Sequence, residues 1–223
     1  MQANYVQRLR LTFSKMGPTR FIGHLDLSRT LERSFNRARI PIAYTQGFNR
    51  RPRMSLAAAL PLGFTSEYEL ADIWLAEEMQ PMVVQREMMR KMAPGIGVSQ
   101  IESVPLSYAS LQSVVTSATY MVTLQDGTNR AELHESVSRI LDAKSLIQQR
   151  KRGKGKIKEN DLRPLIIDLK LDGQMNDPVR ICMELCLGPS KSGRPDDVLS
   201  ALSIEPYSAL IHRTKITLSE PIT

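Results

Sequence analysis

At 223 residues the chain has room for one large domain or two small ones, each with a core of its own. Hydrophobic residues at 42% and charged residues at 24% are the proportions of an ordinary globular protein, which excludes a disordered or fibrous chain. A net charge of +7 argues for an anionic partner, and two cysteines exclude a disulfide framework.

The first stretch, "MQANYVQRLRLTFS", offers no apolar h-region, so no signal peptide is expected at this end. Within it "YVQRLRLTF" alternates polar and apolar residues, the period of a half-buried strand with its arginines pointing outward. Gly17 and Pro18 make a turn, and residues 25–39 read as a helix. Leu27, Leu31, Phe35 and Ala38 form one stripe of it, and Arg29, Arg33 and Arg37 form another, four residues apart. Short extended pieces follow: "IAYT", "RMSLAAALP" and "YELADIWLA". The most apolar run, "MSLAAALPLGF", is too short for a bilayer and is broken by Pro61 and Gly63. A reduced, soluble, cytoplasmic protein is therefore expected. Residues 81–93 open with proline and close before "PG", a helix signature, and "IGVSQIESVPL" ends this half as a strand.

The second half repeats the order. "ATYMVTLQ" is a strand and "NRAELHESVSRILDA" a helix, followed by the basic insertion 148–163. "PLIIDLKLD" and "VRICMELCLG" are strands. "GRPDDVLSAL" starts a helix with Pro195 first and Asp196 and Asp197 in the turn the dipole favours, and "SALIHRTKITL" closes the chain as a strand. Both halves thus read strand, helix, two strands, helix, strand. The expected fold is α+β, two tandem ferredoxin-like (βαββαβ) domains with antiparallel sheets, spanning 1–108 and 109–223 around a linker near 107–117.

The basic residues are concentrated. Residues 20–53 hold eight arginines, no lysine and two acids (Asp26 and Glu32). Residues 150–163 hold seven basic residues and two acids, so the remainder of the chain is net negative. The planar fork of arginine suits phosphate oxygens better than the ammonium of lysine. Arg20, Arg29, Arg33 and Arg37, with Arg50, Arg51 and Arg53 in "GFNRRPRMS", are the first candidate nucleic-acid surface. Phe48 beside them either stacks on a base or packs down as a loop anchor. Lys151, Arg152, Lys154 and Lys156 in the insertion are a second, able to grip phosphates without reading bases. The insertion lacks the Gly-x4-Gly-Lys-Ser/Thr spacing of a P-loop.

His24, at the helix entry, could act as a general base or make a capping or packing hydrogen bond, and Asp26 could cap the helix or fix an arginine. His212 and Arg213 form a candidate groove with Arg194 and His24. Cys182 and Cys186 lie about 13 Å apart if "CMELC" is a strand, too far for one ion, and read as buried small residues. No nucleophilic triad, paired-carboxylate motif or dinucleotide fingerprint is present, so no catalytic set and no metal site is assigned.

The strings "RFIGHLDLSR", "AYTQGFNRRPRMSLAAALPLG", "VPLSYASLQS", "GRPDDVLSAL" and "IHRT" resemble the bacterial radical SAM-linked (radical SAM-associated) protein family, over about Tyr5 to Leu218. That resemblance implies a radical SAM enzyme, fused or encoded alongside, as working partner. With two cysteines this chain lacks a Cys-x3-Cys-x2-Cys motif, so an iron–sulfur cluster and S-adenosylmethionine are expected only in the partner, and no cofactor here. "RFIGHLDLSRTLERSFNRARIP" is also similar to the histidine-and-arginine helix of CRISPR-associated RNA-processing proteins, which implies His24 as a catalytic residue. The leading expectation is a non-catalytic RNA-binding accessory protein acting on tRNA or rRNA beside the radical SAM enzyme. The alternatives are a metal-independent endonuclease using His24, or a protein–protein docking module for that enzyme.

Overall fold

A computed structural model describes residues 4–124, 128–151, 157–173 and 178–219, apart from the side chains at 150, 151, 157 and 158. The chain divides into two compact units, Met1–Val115 with Leu218–Thr223, and Thr116–Thr217.

Unit 1 runs β1 (Gln7–Lys15), α1 (His24–Arg37), β2 (Met54–Leu56), β3 (Thr65–Leu75), α2 (Pro81–Met89), β4 (Ile96–Val104) and a short α3 (Leu111–Val114). Its strands lie in the order β4-β1-β3-β2, each pair antiparallel. Leu9, Leu11 and Phe13 of β1 and Ala71, Ile73 and Leu75 of β3 share one face of this sheet. Leu27, Leu31 and Phe35 of α1 and Val84 and Met88 of α2 are buried in the same core. The 3.6-residue spacing of α1's apolar side chains is what fixes this docking, and it leaves Arg29, Arg33 and Arg37 exposed. The helix follows a 3-10 turn at Gly17–Phe21 and has Gly23 as N-cap, so Asp26 caps nothing. It stops at Arg37 because Arg39 turns to a φ of 53°, the left-handed conformation usual after a helix end.

Of the extended pieces expected after α1, "YELADIWLA" lies in β3 and the other two are corrected. Residues 41–53 form no regular strand, only isolated bridges from Ile42 to Leu75 and from Tyr44 to Pro52. The strand expected in "RMSLAAALP" is only Met54–Leu56. Residues 109–115, assigned to the second domain by the sequence, pack in unit 1. Gln112 Nε2 donates to Leu56 O at 3.1 Å, and the Tyr108 and Ala109 carbonyls accept from Arg8.

Unit 2 runs β5 (Val115–Thr123), α4 (Arg130–Asp142), β6 (Ile147–Lys151), β7 (Ile157–Asp161), β8 (Ile166–Asp172), β9 (Arg180–Cys186), α5 (Pro195–Ala201) and β10 (Leu210–Leu218). Its main sheet has the order β10-β5-β9-β8. Asn129 caps α4, its Oδ1 accepting from Ala131 N and Glu132 N. The insertion departs as a separate antiparallel ribbon, β6 against β7, with Gln149 opposite Glu159. Among the described residues no helix is long and apolar enough to cross a membrane.

Candidate nucleic-acid interface

The structure sorts the candidate arginines by what their side chains already touch. Arg53 is spoken for: its Cζ lies 4.4 Å from the Tyr5 ring centroid and 5.1 Å from that of Trp74. Backbone bonds lock it there, Arg53 N donating to Ala43 O at 2.7 Å and Trp74 N to Arg53 O at 3.2 Å. Arg20 stacks its Cζ 4.9 Å from the Phe21 ring. Arg37 donates to Lys91 O at 2.9 Å and to Ser34 Oγ at 3.3 Å. Arg29 holds only Asp26, at 3.4 Å with both side chains 62% exposed, a pairing worth little in water. Arg33, Arg50 and Arg51 are exposed, and their side chains have no protein partner among the described residues.

Those last three sit on two segments that a hydrogen bond ties together. Residues 45–51 form a pinched loop, Thr45 N donating to Arg51 O at 2.8 Å and Arg51 N to Thr45 Oγ1 at 3.0 Å. Tyr44 Oη at the base of the loop donates to Asn36 Oδ1 of α1 at 3.3 Å. Asn36, Arg33 and Arg29 lie three and four residues apart on that side of the helix, so the bond lays the loop beside the arginine stripe. Phe48 does not anchor the loop; its ring is fully exposed. Arg39, absent from the sequence-based candidates, leaves the same end of α1 and is exposed. Its signal lay in the run "NRARI", directly after the helical stripe.

The opposite face of the unit 1 sheet holds a second arginine cluster that the sequence reading placed in solvent. Arg8 and Arg10 flank Asp72, which is fully buried. Asp72 Oδ2 accepts from Arg8 Nε at 3.0 Å, and Asp72 Oδ1 from Arg10 Nε at 2.8 Å. Arg8 also donates to Tyr108 O at 2.7 Å and Ala109 O at 2.9 Å, and lies 5.1 Å from the Trp74 ring centroid. The alternation holds, but on the outward face Arg8 is covered by the carbonyls of residues 108 and 109.

His24 is the first residue of α1. Its Nδ1 is buried and finds no partner among the described residues, so the expected capping bond is not made there. In unit 2, Arg194 is the exposed N-cap of α5. His212 and Arg213 are neighbours on β10 and project to opposite faces. Arg213 is 1% exposed and stacks on Tyr120, 5.4 Å from the ring centroid, so one groove does not hold both. Lys151 ends β6, with no side chain described, and Arg152, Lys154 and Lys156 lie outside the described residues. Cys182 and Cys186 are half-buried rather than buried, on the side of β9 away from Ile181, Met183 and Leu185. Burial raises the Cys182 thiol pKa, although Lys170 opposes the shift. Among the described residues no three His, Cys, Asp or Glu side chains gather as a metal site.

Among the solved structures similar to this chain are two of low identity. One is the crystal structure of a Cbf5-Nop10-Gar1 complex, 7% identical over 95% of this chain and 50% of that chain, with a TM-score of 0.49. The other is the structure of an H/ACA RNP bound to a substrate RNA containing 2'-deoxyuridine, 9% identical over 93% of this chain and 47% of that chain, with a TM-score of 0.44. The chain spans about half the length of the chains it matches. No curated protein matches it. Residues 8–195 match one family model throughout, and the chain belongs to that family, described as "Uncharacterized protein conserved in bacteria (DUF2344)".

Proposed function

We propose that this protein is a non-catalytic RNA-binding accessory protein, built from two tandem ferredoxin-like domains, that serves a radical SAM enzyme in tRNA or rRNA modification. The observation that carries the RNA part is the joined surface of Arg33 on α1 and Arg50 and Arg51 on the pinched loop, laid together by Tyr44 and Asn36. Three exposed guanidinium groups with no counter-charge among the described residues are suited to phosphate oxygens, which each can meet in bidentate fashion. Arg29 adds a fourth at small cost, since its exposed pair with Asp26 is easily exchanged. The domain reading rests on strand order: β4-β1-β3-β2 in unit 1 and β10-β5-β9-β8 in unit 2 each follow the chain as fourth, first, third, second. The radical SAM partner rests on the sequence strings that resemble that linked family.

The test is binding of the full chain to tRNA and rRNA fragments at about 150 mM salt, where charges more than about 8 Å apart are screened. Wild type binds, and its log affinity falls linearly with log salt. Replacing Arg33, Arg50 and Arg51 together by glutamine lowers that slope by about 2, at roughly 0.7 for each single-strand phosphate no longer neutralised. Wild type that binds no better than a neutral protein removes the RNA reading. For the partner, co-purification of the radical SAM enzyme that survives nuclease treatment supports a direct contact, and loss of the enzyme from every preparation refutes one.

A further inference from the structure

Phe48 bears on the kind of ligand this loop would take. A loop phenylalanine ordinarily turns inward and is held by packing. Phe48 has a relative exposure of 104%, with nothing laid over the ring. The loop that carries it is pinned, not slack: Thr45 and Arg51 close it twice, and Tyr44 and Pro52 bridge below them. Gly47, next to the ring, has a φ of 151° that disfavours a side chain even though a Cβ there would meet no atom within 4 Å. Gly47 is thus there for the backbone path, and that path lifts the ring away from the body. Exposed Arg50 and Arg51 stand two and three residues beyond it.

The occupant must offer a flat apolar face and adjacent negative charges together. An RNA duplex encloses its base faces in the stack and presents phosphates, 2′-hydroxyls and base edges instead. A protein acid offers charge with no ring. An unpaired nucleotide offers both, its base for Phe48 and its flanking phosphates for the arginines. Resting on the RNA reading above, we propose that the loop and α1 take an unpaired stretch of RNA, with one base stacked on Phe48 and the phosphates beside it held by Arg50, Arg51 and Arg33. Stacking uses the face common to all bases, so this contact selects unpaired over paired RNA and discriminates little among sequences.

Three probes test it against the full chain: a short single-stranded RNA, the same strand annealed to its complement, and inorganic polyphosphate of matched charge. Phe48 buries nothing, so Phe48→Ala keeps the fold, which an unchanged unfolding midpoint confirms. The expected result is that Phe48→Ala weakens single-strand binding about 10-fold or more and leaves polyphosphate binding as it was. Phe48→Trp restores single-strand affinity, and its added indole emission is quenched on binding. If Phe48→Ala matches wild type on the single strand, or if wild type prefers the duplex, the stacking proposal is overturned while RNA binding stands. If wild type binds neither RNA, both fall.

Discussion

Arg8 and Arg10 on β1 and Arg50 and Arg51 on the 45–51 loop are pairs of one residue type within one unit, and they do opposite work. The β1 pair is sealed: Arg8 is 2% exposed, and Asp72, the carbonyls of residues 108 and 109 and the Trp74 ring leave little for a ligand to take. The loop pair is open: both side chains are exposed and neither has a hydrogen-bond partner among the described residues. The same guanidinium therefore acts as mortar where its donors are satisfied inside the protein and keeps its donors available to a ligand where they are not. The difference shows that the positive charge of unit 1 cannot be read as a footprint by counting.

The sharpest way to break this comparison is at Asp72. Asp72→Ala removes the carboxylate that both Arg8 and Arg10 hold, and loss of one member of a buried ion pair costs about 3–5 kcal/mol. Urea unfolding followed through Trp74, the chain's single tryptophan, measures it. Adding Arg8→Met to that variant recovers part of the loss, because an apolar side chain needs no counter-charge. A change below about 1 kcal/mol in Asp72→Ala would show that the cluster is wet and that the contrast with the loop is false.

Arg53 stands between the two classes and sharpens the line. The sequence joined it to Arg50 and Arg51, but its guanidinium lies between Tyr5 and Trp74. Arg53→Ala is expected to lower stability by about 1–2 kcal/mol, the range for a partly desolvated cation–π contact. It leaves the salt slope of RNA binding unchanged. A lowered slope would return Arg53 to the binding surface.

These cases mark what was legible. The α1 register could be read because Leu27, Leu31 and Phe35 recur at the helical period and need one buried side. The arginine stripe followed from the same period. The strand alternation of "QRLRLTFSK" was equally plain, yet it says only that Arg8 and Arg10 share a face. What roofs that face is a segment about 100 residues later, and no local pattern records a contact at that separation. Residues 41–53 failed for a related reason. Their backbone is set by isolated bridges to β3 and across the loop, not by a repeating ladder, so strand propensity had nothing to register against.

The open side of the comparison predicts silence in stability. The side chains of Arg33, Arg50 and Arg51 have no partner among the described residues, so each change to glutamine is expected to shift unfolding by less than about 0.5 kcal/mol. All of their effect should fall on RNA affinity and its salt slope. A thermal-shift series on the three single variants checks this, and destabilisation of more than about 1 kcal/mol in any of them would mean that the loop arginines are structural after all.

The smallest expected effect tests whether loop and helix form one surface. Tyr44→Phe removes a single exposed hydrogen bond to Asn36 and keeps the ring. Both groups reach water when separated, so the stability loss should stay below about 1 kcal/mol. Binding is a different matter, because the bond ties the loop that carries Arg50 and Arg51 to the helix that carries Arg33, and an untethered loop must be ordered again on each encounter. RNA affinity should therefore drop by about the few-fold factor that one modest hydrogen bond represents. Adding Arg33→Gln to Tyr44→Phe should then cost less than it does in wild type, because the tether serves that arginine. If the two losses simply add, the helix and the loop bind RNA independently, and the surface is two small sites instead of one.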